Sequence, residues 1–186
     1  MHKIRKTMSY LVPAIACAVL VVFIAEPECQ ESENKNENKT IATRLLEEIW
    51  NQRKLDLIDD IDAAGYVLHM AGSPDIVGPA GHKALIAAFI KAFPDHRFVI
   101  EDHIAEGDKV VTRWTASGTH KNELMGIPAT NAKMTVTGVS IFRIAGGKIE
   151  EEWSNWDVLG MWQQLGVSPP IGSGADKQAA AKAGVE

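Results

Sequence analysis

The clearest pattern runs from Phe98 to Gly166, where apolar residues first recur at alternate positions and then switch to helical spacing. Phe98 and Ile100 fall on one side of an extended chain, and Glu101 and His103 fall on the other, which predicts a strand over 98–105. Glu106-Gly107-Asp108 turns the chain into a second strand over 109–120. A long strand follows over 134–145, and Gly146-Gly147 suits a two-residue hairpin turn into a last strand over 148–156. Val158 to Leu165 predicts a short closing helix, ended by Gly166. Upstream, Ile41, Leu45 and Ile49, with Leu46 and Trp50, predict an amphipathic helix over 40–52. Leu55, Ile58 and Ile61 predict a second, short helix with Asp59, Asp60 and Asp62 as its solvated side. Residues 65–70 read as a short strand, and 72–81, with two prolines and three glycines, as a loop. A helix over 82–93 carries Leu85, Ile86, Phe89, Ile90 and Phe93 on one face and stops at Pro94.

Helices first and a long meander afterwards predict an α+β fold. The expected architecture is a curved, mostly antiparallel sheet, a half-barrel packed on the N-terminal helices. Such a sheet leaves an internal pocket with apolar walls and few polar groups.

The ends of the chain read differently. Residues 1–25 begin with His2, Lys3, Arg5 and Lys6 and continue into an uncharged run, the layout of a signal peptide or N-terminal membrane anchor. Residues 26–39 are polar and of low complexity, and are expected to form a disordered linker. The folded domain is expected over 40–167, with 168–186 as a disordered tail. This layout predicts an extracytoplasmic protein, periplasmic or secreted, that touches membrane only through its N-terminus.

Composition narrows the chemistry. The formal charge of −5 and the lack of a basic stripe beyond the first residues argue against a nucleic-acid partner. Cys17 and Cys29 both precede the domain, so the domain has no thiol nucleophile, disulfide or cysteine metal site. The histidines form no HxH, HxxxH or HExxH pair, and no metal site is expected from spacing.

Four motifs carry a family resemblance: Gly118-Thr119-His120, Met125-Gly126-Ile127-Pro128, Phe142-Arg143-Ile144 and Gln163-Gln164-Leu165-Gly166. Together they resemble the SnoaL-like ester cyclases, relatives of the polyketide cyclases. These belong to the cone-shaped α+β superfamily that includes ketosteroid isomerase and scytalone dehydratase. The resemblance covers about residues 40–167. It implies a cone-shaped fold, a homodimer or higher homo-oligomer, and a cofactor-free pocket for a small apolar, carbonyl-bearing molecule. It also implies acid/base chemistry such as cyclisation, isomerisation or hydration. Counting without gaps from Gly147-Lys148-Ile149 places the family's acid/base carboxylate at Ser154 and a pocket histidine at Ser140. His120 stands at its matching position.

The candidate catalytic residues are therefore His120, Glu152 and Asp157. His120 closes a strand and is either a pocket acid/base or a rim histidine bonded to the following loop. Glu152 shares a strand face with Ser154 and Trp156; buried, it would titrate high and serve as a base, and exposed, it would form a salt bridge. Asp157 supports the site or caps the last helix. Trp114, Ser140, Trp153, Ser154, Asn155 and His69 are the candidate substrate-binding residues. The alternative reading is a non-catalytic small-molecule binding or oligomerisation module.

Overall fold

The computed structural model describes residues 27–167. The signal or anchor expected over 1–25 and the tail expected over 168–186 lie outside the described residues. Among the described residues, no helix is long and apolar enough to cross a membrane.

The chain runs α1 (Pro27–Arg44), a π-helical continuation (Leu45–Asn51), a 3₁₀ turn (Leu55–Leu57), α2 (Ile58–Ile61), β1 (Asp62–Met70), β2 (Ile76–Val77) and α3 (Gly78–Ala92). Strands β3 (Arg97–Glu106), β4 (Lys109–Thr119), β5 (Lys133–Ala145) and β6 (Lys148–Trp156) follow, and α4 (Val158–Gln164) closes the fold. The six strands form one sheet in the order β2-β1-β6-β5-β4-β3. The meander β3–β6 is antiparallel throughout, and β1 joins β6 in parallel. The expected α+β sheet with helices on its concave side is therefore the observed one.

Alternation fixes which face of each strand is covered. On β5, Met134, Val136, Gly138, Ser140, Phe142 and Ile144 are buried, while the residues between them are exposed or half-buried. The inner face meets the π-helical turn, where Leu45, Leu46 and Ile49 are buried. A π turn is wider than an α turn and often sits at a functional site. Here it lets the adjacent Leu45 and Leu46 both face inward. Gly146 and Gly147 have φ of 57° and 76°, the left-handed pair that a tight hairpin of this kind requires.

Three departures from the sequence reading stand out, the first being that the expected loop over 72–81 contains β2 and the first turn of α3, which begins at Gly78. Residues 27–39 continue α1 and are not a structureless linker. Glu33, Lys35, Glu37 and Lys39 are straight-chain residues that lose little freedom in a helix. The buried turn at Leu45–Ile49 supplies the nucleus that such a polar segment lacks alone. Asp62 also departs from expectation: helix α2 stops at Ile61, so Asp62 opens β1 and turns inward, 1% exposed, away from its solvated neighbours Asp59 and Asp60.

Candidate functional site

The inner face of the sheet, α3 and the π-helical turn enclose an elongated cavity of about 80 Å³. At roughly 10–15 Å³ of such space per water, this holds about six waters, the room taken by one or two fused rings. Its walls are apolar side chains such as Leu45, Leu85, Phe89, Phe98, Val136 and Trp156. The polar residues at its surface are His82, His96, Ser140, Glu152 and Ser154, with the indole N–H of Trp114. No lysine or arginine is among the lining residues.

Glu152 stands at one end. It is the only carboxylate lining the cavity and is 6% exposed. The Tyr66 hydroxyl donates to its Oε2 at 2.9 Å, and the Ser140 hydroxyl lies near enough to favour its charged form. Burial raises the Glu152 pKa, because a charge in an apolar wall loses its hydration. The field of His82, the Tyr66 hydrogen bond and the nearby Ser140 hydroxyl act in the opposite sense without cancelling that rise. Tyr66 is fully buried, and burial together with the nearby Glu152 and Asp62 holds its phenol well above 10. It therefore remains a hydrogen-bond donor at any working pH.

Behind this end lies a buried dyad. His82 Nδ1 is 2.8 Å from Asp62 Oδ2, with both side chains almost completely enclosed. A carboxylate accepts only, so Nδ1 carries the proton and Nε2 is the acceptor nitrogen of the neutral ring. The Tyr66 ring stacks on the imidazole at 4.6 Å between centroids, which fixes both planes.

Next to Glu152 is a chain of weak acids. Trp114 Nε1–H donates to Ser140 Oγ at 3.2 Å, and Ser140 and Ser154 Oγ are 3.2 Å apart across paired strands. Gly138 makes this possible: a Cβ there would lie 2.3 Å from the Trp114 ring. Only a glycine lets the indole cross β5 at that height.

The expected residues divide into two groups. Glu152, Ser140, Ser154 and Trp114 line the cavity together. His120, Asp157, Trp153, Asn155 and His69 do not. His120 is fully buried against Phe93, and its Nδ1 faces Thr130 Oγ1 at 3.2 Å. It pins the loop after β4, which is the rim role weighed against catalysis. Asp157 Oδ1 accepts from Gly160 N at 2.8 Å and is the cap of α4. Trp153 and His69 stack at 5.6 Å on the outer face of the sheet, because side chains alternate along β6. There His69 bonds Asp75 and Glu151, and the Asp75 bond, then the Glu151 bond, raises its pKa. Asn155 is exposed and borders a separate outer hollow of about 320 Å³. That hollow shares Met70, Phe89, Ser154, Trp156 and Met161 with the inner cavity, so these residues form the neck between them.

Tyr66, His82, Asp62 and His96 escaped the sequence reading. A signal for His82 was present: it stands in phase with Leu85, Ile86, Phe89 and Phe93 on the apolar face of α3. His96 likewise precedes Phe98 and Ile100 at alternate positions.

Comparison with known proteins adds the relatives. The model of the SnoaL-like polyketide cyclase family matches residues 40–165. An aklanonic acid methyl ester cyclase of Streptomyces sp. strain C5 is 28% identical over 139 residues, 70% of this chain and 83% of the relative. A crystal structure from Acidithiobacillus ferrooxidans, assigned to the polyketide cyclases, is 31% identical with a TM-score of 0.63. That match covers 72% of this chain and 96% of that one. A structure from Jannaschia sp. CCS1, assigned to the SnoaL-like polyketide cyclases, shares the fold. It has a TM-score of 0.68 at 23% identity, over 73% of this chain and 95% of that one.

Proposed function

The chain belongs to the SnoaL-like polyketide cyclase family, and on that footing we propose that Glu152 is the acid/base of a ring-closing or isomerising reaction on a neutral, carbonyl-bearing molecule. The observation that carries this is a carboxylate with a raised pKa in an apolar cavity, held by the Tyr66 hydroxyl. A base is most useful when its pKa approaches the working pH, and burial moves Glu152 that way. The relative's aklanonic acid methyl ester cyclase activity is consistent with a cyclisation.

In this reading the substrate carbonyl lies against the Ser140 and Ser154 hydroxyls. Glu152 takes a proton from the adjacent carbon, and the C–H electron pair becomes an enolate whose oxygen accepts from the Ser154 hydroxyl, with Ser140 donating to Ser154 and Trp114 donating to Ser140 behind it. The enolate carbon attacks a second carbonyl of the same molecule. A C–C bond forms, the electron pair of the attacked C=O moves to oxygen, and the proton held by Glu152 returns to that alkoxide. No atom is gained or lost, and the steps call for no cofactor. The dry cavity strengthens each hydrogen bond to the developing charge. His82 Nε2, with Nδ1 tethered to Asp62, is placed as a second proton carrier. The absence of lysine and arginine from the lining favours an uncharged ligand.

This assignment places the acid/base on the residue two positions before Ser154, on the same face of β6. The test is ring closure of 2,6-heptanedione, followed by NMR, with wild type and Glu152→Gln. Loss of closure in the variant supports the role. Equal rates above the buffer background would take the acid/base role from Glu152, and a wild-type rate no higher than buffer would leave the cavity as a binding module without chemistry. The setting we propose is extracytoplasmic, from the basic start and apolar run of residues 1–25; the N-terminal mass of chain recovered from periplasm or medium tests it.

A further inference from the structure

At the end of the cavity away from Glu152 stands a group that the chemistry above does not use. His96 is 7% exposed and lines the cavity, and neither ring nitrogen has a hydrogen-bond partner among the described residues. The Phe93 carbonyl lies close enough to favour its protonation slightly, but reaches hydrogen-bond geometry with neither nitrogen. Buried polar atoms are normally paired, because an unpaired one forfeits its hydration with nothing in return. An orphan pair on one ring in a cavity wall therefore points to a partner that comes and goes.

The ring is held firmly. The Asp95 carboxylate accepts from both the Thr119 backbone N–H and its hydroxyl, each at 2.7 Å, which ties the turn before β3 to β4. His96 N donates to Phe93 O at 3.0 Å. Trp50 and Phe98 meet the imidazole edge-on at 5.5 and 6.0 Å between centroids. Burial, then the charge of Arg53, lowers its pKa to about 4, so at neutral pH the ring is uncharged and offers one N–H donor and one nitrogen acceptor.

We propose that His96 is a second polar anchor of the binding site, and that it hydrogen-bonds a neutral oxygen, hydroxyl or carbonyl, at the far end of the ligand. This rests on the ligand-binding reading of the cavity above and adds the ligand's second functional group. The two anchors are separated along the inner face. Ser140 and Val136 both line the cavity on β5, and Val136 pairs with Ala116, which pairs with Phe98 beside His96. Four residues along the strand, roughly 13 Å, and two strand spacings across, roughly 10 Å, set the two backbones roughly 16 Å apart. The gap left between side chains that reach inward from both ends suits a flat two-ring skeleton with an oxygen at each end, one at the serine pair and one at His96. A neutral terminus matches the uncharged imidazole, and Arg53, whose charge reaches the ring from its place at Pro94, is not among the lining residues.

The test compares 2-tetralone with 6-hydroxy-2-tetralone, which differ only in the distal hydroxyl. Binding is read from quenching of the cavity tryptophans, so no turnover is needed. In wild type the hydroxylated ligand binds about five- to tenfold tighter, the worth of one buried neutral hydrogen bond. In His96→Phe the two ligands bind equally, so the preference vanishes. Because that variant could disturb packing, the wild-type ring is also followed by long-range ¹⁵N NMR: its nitrogen shifts move with the hydroxylated ligand and stay put with 2-tetralone. No preference in wild type, an undiminished preference in His96→Phe, or identical ring shifts with both ligands would overturn the proposal. An active enzyme without the preference sinks only this inference. A preference in a protein that closes no ring sinks the catalytic reading instead.

Discussion

Tyr66→Phe isolates the balance that sets Glu152. The Tyr66 hydroxyl donates to Oε2 at 2.9 Å between two buried groups, and it acts against the rise that burial imposes. A hydrogen bond to a charged acceptor contributes about 1.5–3 kcal/mol. At about 1.4 kcal/mol for each pH unit, its loss moves the Glu152 titration up by about 1–2 units. The ring stays, so the stack on His82 and the shape of the site persist. Tyr66 itself does not ionise in the range, since burial holds its phenol well above 10. The assay is a ¹³C NMR titration of side-chain-labelled glutamate, with the Glu152 signal assigned by its loss in Glu152→Gln. An unmoved midpoint, or one that falls, would show that the phenol does not stabilise the carboxylate, and the reasoning about this site would fail.

Other consequences follow from the same structure. Glu152 titrates above its ordinary 4.5 in the folded protein, so the fold loses stability as pH rises past 4.5 towards the folded value. Glu152→Gln, which cannot ionise, should therefore gain stability relative to wild type as pH rises from 4.5, read from urea midpoints. His96 has the opposite sign. Its folded value of about 4 lies below the ordinary 6.5, so its contribution is complete above pH 6.5 and is lost as pH falls towards 4. Wild type should lose about 2 kcal/mol more than His96→Phe across that window, allowing for partial screening. Trp153→Ala and His69→Ala, on the outer face, should leave ligand affinity and ring closure within twofold of wild type.

Much of the fold was written in alternation and turn chemistry. The Gly146-Gly147 hairpin and the β3–β6 meander follow from turn residues and a period of two; that period puts Glu152 and Ser154 on one face of β6, and the structure turns that face inward. The rest depended on where elements end. Asp59, Asp60 and Asp62 look alike in sequence, but the helix stops between the second and third, and the third is buried against His82. His120 stands at its matching family position, yet β4 ends just before it and the side chain closes a loop. Tyr66 and Glu152 meet through the parallel pairing of β1 with β6, a contact between residues 86 apart that local periodicity does not encode.

The central claim is that Glu152 moves a proton to and from carbon inside the cavity. Deuterium exchange at the α-carbon of 2-tetralone in D₂O, followed by NMR, measures that step alone. Wild type should exchange faster than buffer, and Glu152→Gln should lose at least about a hundredfold of that enhancement, the usual contribution of a positioned base. Exchange in Glu152→Gln equal to wild type would contradict the account.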